Sequence, residues 1–425
     1  MTTDNPVFTD APSNVLIVGG GIIGLNCAWY LNQAGCRVTV VDKGKIGAAC
    51  SHGNCGLICP SHVLPLTEPG AFKEAFKALF STHSPFRIRP RLDVHLWSWM
   101  WHFLRRCNQR SMMSAAHGIQ AILTSATQEY EQLLSLPELS GLWQRKGLLY
   151  VYHSHRALEA YSKTNQLLAE HFHEPAKRLT AEETLQVEPA LKPSIAGAWY
   201  YEHDTHIRPD RLISKLRQYL VATGVRFVED NSVQALDGTG KVARTVVTDC
   251  GVLEADAFVF AAGTWTPTLK ELLGCRVPIE AGKGYSITMP RPVQCPSIPL
   301  IFPQHRVVAT PFEDGYRLGS IMEFSGLDDS LPEERLELLR SGASHYLLEP
   351  TSQPELERWH GWRPMTYDSL PAIDRCPRWN NVWVAAGHNM LGLTMAPATG
   401  KLISEMVMGK MPHIDPTPYK LNRFC

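Results

Sequence analysis

Gly19-Gly20-Gly21-Ile22-Ile23-Gly24 follows the apolar run Val15-Leu16-Ile17-Val18 and precedes an apolar helical stretch reaching Ala34. Gly35 and the run Arg37-Val38-Thr39-Val40-Val41 then lead to Asp42. The chemistry this spacing suits is the binding of a dinucleotide. Gly19 permits a tight turn, Gly21 lets the backbone approach a pyrophosphate, and Gly24 lets helix and strand pack closely. The helix N-terminus offers free N–H groups and a positive dipole end to phosphates. Asp42 falls about twenty residues on, where a carboxylate accepts bonds from both ribose hydroxyls and repels a 2′-phosphate, so NADP is disfavoured. Ile22, Ile23 and Lys43 flank the same site.

A second match to the glycine pattern, Gly238-Thr239-Gly240-Lys241-Val242-Ala243, lies between Val233-Gln234-Ala235-Leu236 and the β-branched run from Val242 to Val247. No helix follows it, so it reads as a hairpin turn. The chain therefore carries one dinucleotide site, and a reductase using a second, pyridine nucleotide is not expected.

The elements that must hold this site run through much of the chain. Residues 61–140 read as mainly helical, Gly147–Tyr152 as a strand, 155–172 as a helix, Leu212–Val221 as a helix and Val225–Val228 as a strand. From 284 to 324 strands alternate with Pro and Gly turns: Tyr285–Thr288, Arg306–Thr310 and Tyr316–Glu323, an antiparallel signature. A helix over Pro332–Leu339 and another over Met395–Met408 follow. Three strands end in small residues, at Val18-Gly19-Gly20, Phe260-Ala261-Ala262-Gly263 and Val384-Ala385-Ala386-Gly387. Ligands of parallel α/β sheets bind beyond strand C-termini. The fold class expected is therefore α/β: a Rossmann-like, discontinuous nucleotide domain with an inserted substrate domain built on an antiparallel sheet. The nucleotide domain is assigned to 12–80, 206–278 and 358–425, and the substrate domain to 81–205 and 279–357.

With 425 residues the chain is long enough for two or three domains, and its zero net charge without a basic run argues against a nucleic-acid partner. Its eleven cysteines are scattered and odd in number, which fits a reducing compartment better than a disulfide framework. Cys50, Cys55 and Cys59 lack zinc-site pairing, and the short cluster His203, Asp204 and His206 reads as a polar strand-to-loop junction; no metal is expected. With no signal peptide and no membrane span, a cytoplasmic location is expected. The segment Leu96–Leu104, rich in tryptophan and followed by Arg105 and Arg106, suits either a bilayer interface at the inner face of the membrane or a core or subunit-contact helix, the second being favoured.

Several segments resemble the FAD-dependent amino-acid oxidoreductases, in the branch of D-amino acid dehydrogenases and glycine oxidase, over nearly the whole chain. Ser51-His52-Gly53-Asn54-Cys55-Gly56 resembles the S-x-x-N-x-G turn of the dehydrogenases, which lies against the flavin ring. Lys283-Gly284-Tyr285-Ser286-Ile287-Thr288 resembles their K-G-Y-S-L-T strand, and Gly361-Trp362-Arg363-Pro364 with Asp368 resembles G-x-R-P-x-T-x-D. Gly387-His388 and Ala396-Pro397-Ala398-Thr399-Gly400 resemble the C-terminal end of glycine oxidase.

The resemblance implies FAD, held by the first glycine motif together with Ser51, Asn54, Gly56, Leu57, Val233, Ala262, Gly263, Trp265, Arg363, Gly387, Asn389, Leu391, Gly392, Leu393 and Thr394. The loop Asn389–Thr394 precedes a helix, and its free N–H groups suit the pyrimidine edge, where negative charge develops. Arg363 is the substrate residue it implies, since a guanidinium fork matches a planar carboxylate. Tyr285 adds a hydroxyl to that carboxylate or is a strand aromatic. Lys283 reaches the flavin's central ring nitrogen through water or is an exposed lysine at a turn. His52 reads as polar packing rather than a covalent flavin link. No general base stands out; binding deprotonates the amine and orientation does most of the work.

The expected function is oxidative deamination of a small D-amino acid, with D-proline or a hydroxy-D-proline among the candidates, by hydride transfer from the α-carbon to flavin. The imine then hydrolyses to a 2-oxo acid, and a quinone or similar acceptor removes the electrons. The alternative is a glycine- or sarcosine-type oxidase that releases peroxide. A non-catalytic flavin-binding or electron-transfer subunit is the reading of another class, and the presence of Arg363 speaks against it.

Overall fold

The computed structural model describes residues 11–71 and 84–424. Part of the stretch expected to be helical, 72–83, therefore lies outside the described residues.

Strand β1 (Asn14–Val18) and strand β2 (Arg37–Val41) pair in parallel, Val15 opposite Val38 and Val18 opposite Val41, with helix α1 (Ile22–Gln33) crossing between them. Both strands are near-continuous apolar runs because both faces are covered: Val15, Ile17, Val38 and Val40 pack with Leu25 and Leu31 of α1, and Leu16, Val18 and Val41 with Leu236, Ala243 and Val246 of a three-stranded antiparallel sheet. Helix α1 is apolar on most sides, and Leu25, Cys27, Ala28 and Leu31 are fully buried. It is held between this sheet and the helix Gly392–Val407. Gly400 makes that close crossing: a Cβ there would stand 2.6 Å from the Asn26 carbonyl. At the other end, Gly35 turns the chain out of α1 with φ of +90°.

Six strands form this first sheet, in the order Arg226–Val228, β2, β1, Ala257–Phe260, Val382–Ala386 and Ala372–Arg375. All pair in parallel except the last. Strands distant in sequence are thus neighbours, so the nucleotide domain is discontinuous. The second glycine match is a hairpin: Val233–Thr239 and Val242–Thr248 are antiparallel, and Gly240 turns between them with φ of +61°.

The second large sheet has nine strands among the described residues. Its order is Glu357–Thr366, Ile279–Met289, Gly315–Phe324, Val307–Phe312, Leu300–Phe302, Leu148–Tyr152, Gly197–Tyr201 and Lys177–Thr180, with Phe86–Ile88 paired alongside Gly315–Phe324. Pairing is antiparallel except at Leu300–Phe302 with Leu148–Tyr152 and at Phe86–Ile88. The strand Ile279–Met289, second in this order, is buried along all eleven residues, packed beside the helix Glu333–Ser344. The strand Glu357–Thr366 hydrogen-bonds along Ile279–Met289, so the chain leaves this sheet only after Thr366. The boundary drawn at 358 falls at the start of that strand.

Two long helices follow Phe86–Ile88: Val94–Arg106 packs on the large sheet, and Gln109–Leu133 on the helix Gly392–Val407. The first is started by the Asp93 carboxylate, which accepts from the N–H groups of His95 and Leu96. Its inner face buries Leu96, Trp99, Met100 and Phe103, while Trp97 and Trp101 are exposed. The helix expected over 155–172 is interrupted at Tyr161, whose ring packs among Tyr150, Tyr152 and Trp199. No helix among the described residues is long and apolar enough to cross a membrane. Every cysteine among them is free.

Candidate active site

One cavity of about 1090 Å³ runs from the glycine turn after β1, past the turn 51–56, to the face of the large sheet. Its first end fits a dinucleotide. A Cβ on Gly24 would stand 1.9 Å from the Gly19 carbonyl, and one on Gly19 2.5 Å from the Ala261 carbonyl, so neither position admits a side chain. By contrast a Cβ on Gly21 would meet only the Ser51 hydroxyl, at 3.4 Å, leaving the space before the α1 N-terminus open for phosphate. Asp42 accepts the N–H of Gly20 at 2.7 Å and of Gly44 at 2.9 Å, which holds its carboxylate at the cavity wall. Burial raises that carboxyl above its ordinary pKa, and the two amide bonds oppose the shift. Lys43 stands 3.7 Å from the Trp265 ring centre across the same end, beside Val233, Ala262 and Gly263.

At the middle of the cavity Ser51, Asn54, Gly56 and Leu57 form one wall. Ser51 Oγ accepts from the Ile22 N–H, and Asn54 closes its own turn by accepting from the Gly56 N–H at 2.8 Å. Asn389, Leu391, Gly392, Leu393 and Thr394 also line the cavity, where the helix Gly392–Val407 begins, and the Thr394 hydroxyl donates to the Leu57 carbonyl at 3.3 Å. The first-turn N–H groups of such a helix lack intrahelical acceptors. Asn389 is fixed in a left-handed conformation by donating to the Gly387 carbonyl and accepting from the Thr366 N–H. Ile22, Ile23 and Gly21 also line the cavity, whereas Gly24, in the first turn of α1, and Gly387, in the turn after Val382–Ala386, do not.

Arg363 closes the far end. Its Nη1 donates to the Ile321 carbonyl at 2.9 Å and its Nη2 to that of Ser320 at 3.4 Å. Those carbonyls are turned toward it because Ser320 and Ile321 have φ of +101° and +40°, at an irregularity in the pairing with Ile279–Met289. No acidic side chain among the described residues pairs with this guanidinium. Burial disfavours its charge, and the nearby sulfurs of Cys55 and Cys50 oppose that shift. Gly284 has its reason here: a Cβ there would stand 2.4 Å from Arg363 Nη1, so a side chain at 284 would push the guanidinium from its present place across that strand.

Tyr285 also lines the cavity, but its hydroxyl donates to Glu323 at 2.8 Å. Lys283 does not line it. The side chain is fully buried, and its ammonium donates to the Ser330 carbonyl and pairs with Asp328 at 3.6 Å. It is neither an exposed turn lysine nor directed at the cavity. His52 pairs with Glu357, Nε2 to Oε1 at 2.6 Å, which raises the imidazole pKa.

Several wall residues carry no sequence signal. Trp359 packs on Gly53 and Gly361, where a Cβ would stand 2.2 and 2.3 Å from its ring. Trp99, Met100 and Phe103 close one side and His62 and Tyr150 another, the Tyr150 hydroxyl lying 2.6 Å from His62 Nε2. Beside them Asp204 accepts from the Ser61 hydroxyl at 2.6 Å, away from His203 and His206. Ligand atoms of Cys59, His62 and Asp204 lie within 4.8 Å of one another, a grouping hidden in the sequence because Asp204 comes from a distant segment.

Comparison with known proteins agrees with this geometry. The family model described as FAD dependent oxidoreductase matches residues 14–406. The chain is 30% identical over 423 residues to a D-amino acid dehydrogenase of Agrobacterium fabrum, covering 97% of this chain and all of that protein. It is 29% identical over 416 residues to a D-amino acid dehydrogenase of Neisseria gonorrhoeae, covering 96% and 99%. Among solved structures, glycine oxidase from Geobacillus kaustophilus has the same fold, with a TM-score of 0.77, 21% identity and coverage of 98% and 99%. An L-proline dehydrogenase from P. horikoshii is similar in fold at a TM-score of 0.73, 19% identity and coverage of 98% of each chain.

Proposed function

From the premise that this chain belongs to the FAD-dependent oxidoreductase family, we propose that it oxidises the α-carbon of a small D-amino acid, giving an imine that water hydrolyses to a 2-oxo acid. FAD, when bound, supplies the hydride acceptor. The reading is supported above all by Arg363: a half-buried guanidinium with no acidic partner among the described residues, lining the cavity beyond the turn 51–56. An incoming carboxylate supplies the missing anion and takes two N–H donors at once. With the carboxylate fixed there, the side chain enters the space walled by Trp99, Met100 and Phe103, which exclude water from the α-carbon. Gly19, Gly21 and the α1 N-terminus hold the pyrophosphate, Asp42 the ribose, and the first turn of Gly392–Val407 the pyrimidine edge. The D configuration follows the curated relatives.

The electrons pass to a quinone. In keeping with that acceptor, the helix Val94–Arg106 carries exposed Trp97, Trp101 and Arg105 on the side opposite its cavity-lining residues, a face suited to an anionic membrane surface. The test is anaerobic bleaching of the flavin by paired D- and L-amino acids, including D-proline and hydroxy-D-proline, followed by reoxidation with air and with a quinone. Bleaching by D-substrates and fast reoxidation by quinone are expected. Preference for L-substrates, or rapid stoichiometric peroxide in air, would replace this reading with the oxidase one.

A further inference from the structure

The turn 51–56 is gripped from behind by the large sheet. Arg317 Nη1 donates to the carbonyls of Asn54 at 2.8 Å and His52 at 3.3 Å. Ser286 Oγ donates to the Gly53 carbonyl at 2.8 Å, and Thr310 Oγ1 to the Cys55 carbonyl at 2.8 Å. Four successive carbonyls are thus taken by side chains from three adjacent strands, Ile279–Met289, Val307–Phe312 and Gly315–Phe324. Arg317 is 1% exposed and is itself held, with Nε on the Thr288 hydroxyl at 2.9 Å and Nη2 3.6 and 3.8 Å from the carboxylates of Glu357 and Asp210.

A trans peptide is planar, with its N–H opposite its C=O. Turning the carbonyls of His52, Gly53 and Asn54 toward the sheet therefore turns the N–H groups of Gly53, Asn54 and Cys55 away from it. All three residues line the cavity. Among the described residues none of these three N–H groups donates to a protein acceptor, while the next one, of Gly56, is taken by Asn54 Oδ1. We infer that Arg317, with Ser286 and Thr310, is a positioning device that aims the amide N–H groups of residues 53–55 at the flavin ring and so favours its reduced, more negative form. Aligned amide donors stabilise developing negative charge at no cost in reorganisation. Arg317 acts through the turn rather than by its own charge, which Glu357 and Asp210 balance. The inference rests on the proposed placement of this turn against the ring.

The experiment uses the FAD-loaded protein. Thr310→Val, Ser286→Ala and Arg317→Lys are each equilibrated with a reference redox dye under reducing conditions, and their visible spectra are recorded. Each variant is expected to shift the equilibrium toward oxidised flavin, about threefold or more where one bond is lost, and to change the flavin absorption envelope. Thr310→Val, nearly the same in shape, keeps the test valid if Arg317→Lys folds poorly. Asn54→Ala and Ser51→Ala, in the turn itself, separate the two readings. If these two shift the dye equilibrium and the three sheet variants do not, the positioning inference falls alone. If all five leave equilibrium and spectrum unchanged, the turn does not face the flavin and both readings fall.

Discussion

The Tyr285 hydroxyl donates to the Glu323 carboxylate at 2.8 Å, so its proton is already committed inside the protein. Glu323 is 5% exposed and also faces Arg335 at 3.4 Å. A hydroxyl engaged in this way has lone pairs to offer but no proton for a second carboxylate. Tyr285→Phe is therefore expected to cost stability, about 2 kcal/mol for a buried bond to a charged group, and to raise the substrate KM less than about threefold. Chemical denaturation and steady-state kinetics together decide it. A tenfold rise in KM at unchanged stability would put the hydroxyl on the substrate.

Arg363→Lys keeps one positive charge and removes the fork. The loss expected is about 2–4 kcal/mol of substrate binding, a rise in KM with the flavin still bound and its spectrum near normal. Gly284→Ala is expected to do the same by displacing the intact guanidinium. Unchanged KM in both variants would remove Arg363 from the substrate site.

Asp42→Ala deletes the carboxylate that braces the N–H groups of Gly20 and Gly44 and faces the ribose end of the cavity. FAD affinity is expected to fall by about 1–3 kcal/mol, read by fluorescence titration of the flavin-free protein. Equal affinity for FAD in the two proteins would overturn the assignment.

Asp204 is wholly buried, and desolvation pushes its carboxyl from 3.8 to about 7. The folded protein therefore holds a proton that the unfolded chain releases at lower pH. That contribution is complete below about pH 3.8 and is lost as pH rises to about 7, at most about 4 kcal/mol in all. Asp204→Asn retains an acceptor for the Ser61 N–H and carries no charge. Between pH 5 and pH 8 the wild-type denaturation midpoint is expected to fall relative to that of Asp204→Asn. Parallel pH profiles would show that Asp204 ionises normally.

Trp97→Ser with Trp101→Ser is expected to abolish flotation with vesicles rich in phosphatidylglycerol and to leave dye-linked activity intact. Flotation retained in the double variant would exclude this helix as the membrane contact. A dimer of the parent protein that the variant loses, without lipid binding, would assign the face to a second copy.

The features legible in the sequence are those whose parts lie close together. The β1–α1–β2 unit and the Gly238–Ala243 hairpin each depend on spacing within about thirty residues, and local sterics fix them. The helix expected from Met395 begins at Gly392, so Gly392, Leu393 and Thr394 form its first turn rather than a loop before it. Arg363 was legible because its neighbours in the strand form a recognisable segment. Lys283 lies in an equally recognisable segment, yet its surroundings were not legible: Asp328 and Ser330, which draw its ammonium inward, lie on a loop more than forty residues away. Arg317 gave no signal at all. Its partners His52 and Asn54 are 265 and 263 positions distant, and only the packing of the large sheet on the nucleotide domain brings them together. The membership of Glu357–Thr366 in the large sheet is hidden for a similar reason, since that strand is defined by its pairing with Ile279–Met289.

The guanidinium of Arg363 occupies the volume that any side chain at position 284 would need. A methyl group at 284 and the guanidinium in its present place exclude one another, so the glycine serves as a space-holder: where the arginine comes to rest is set by an atom that the neighbouring strand lacks.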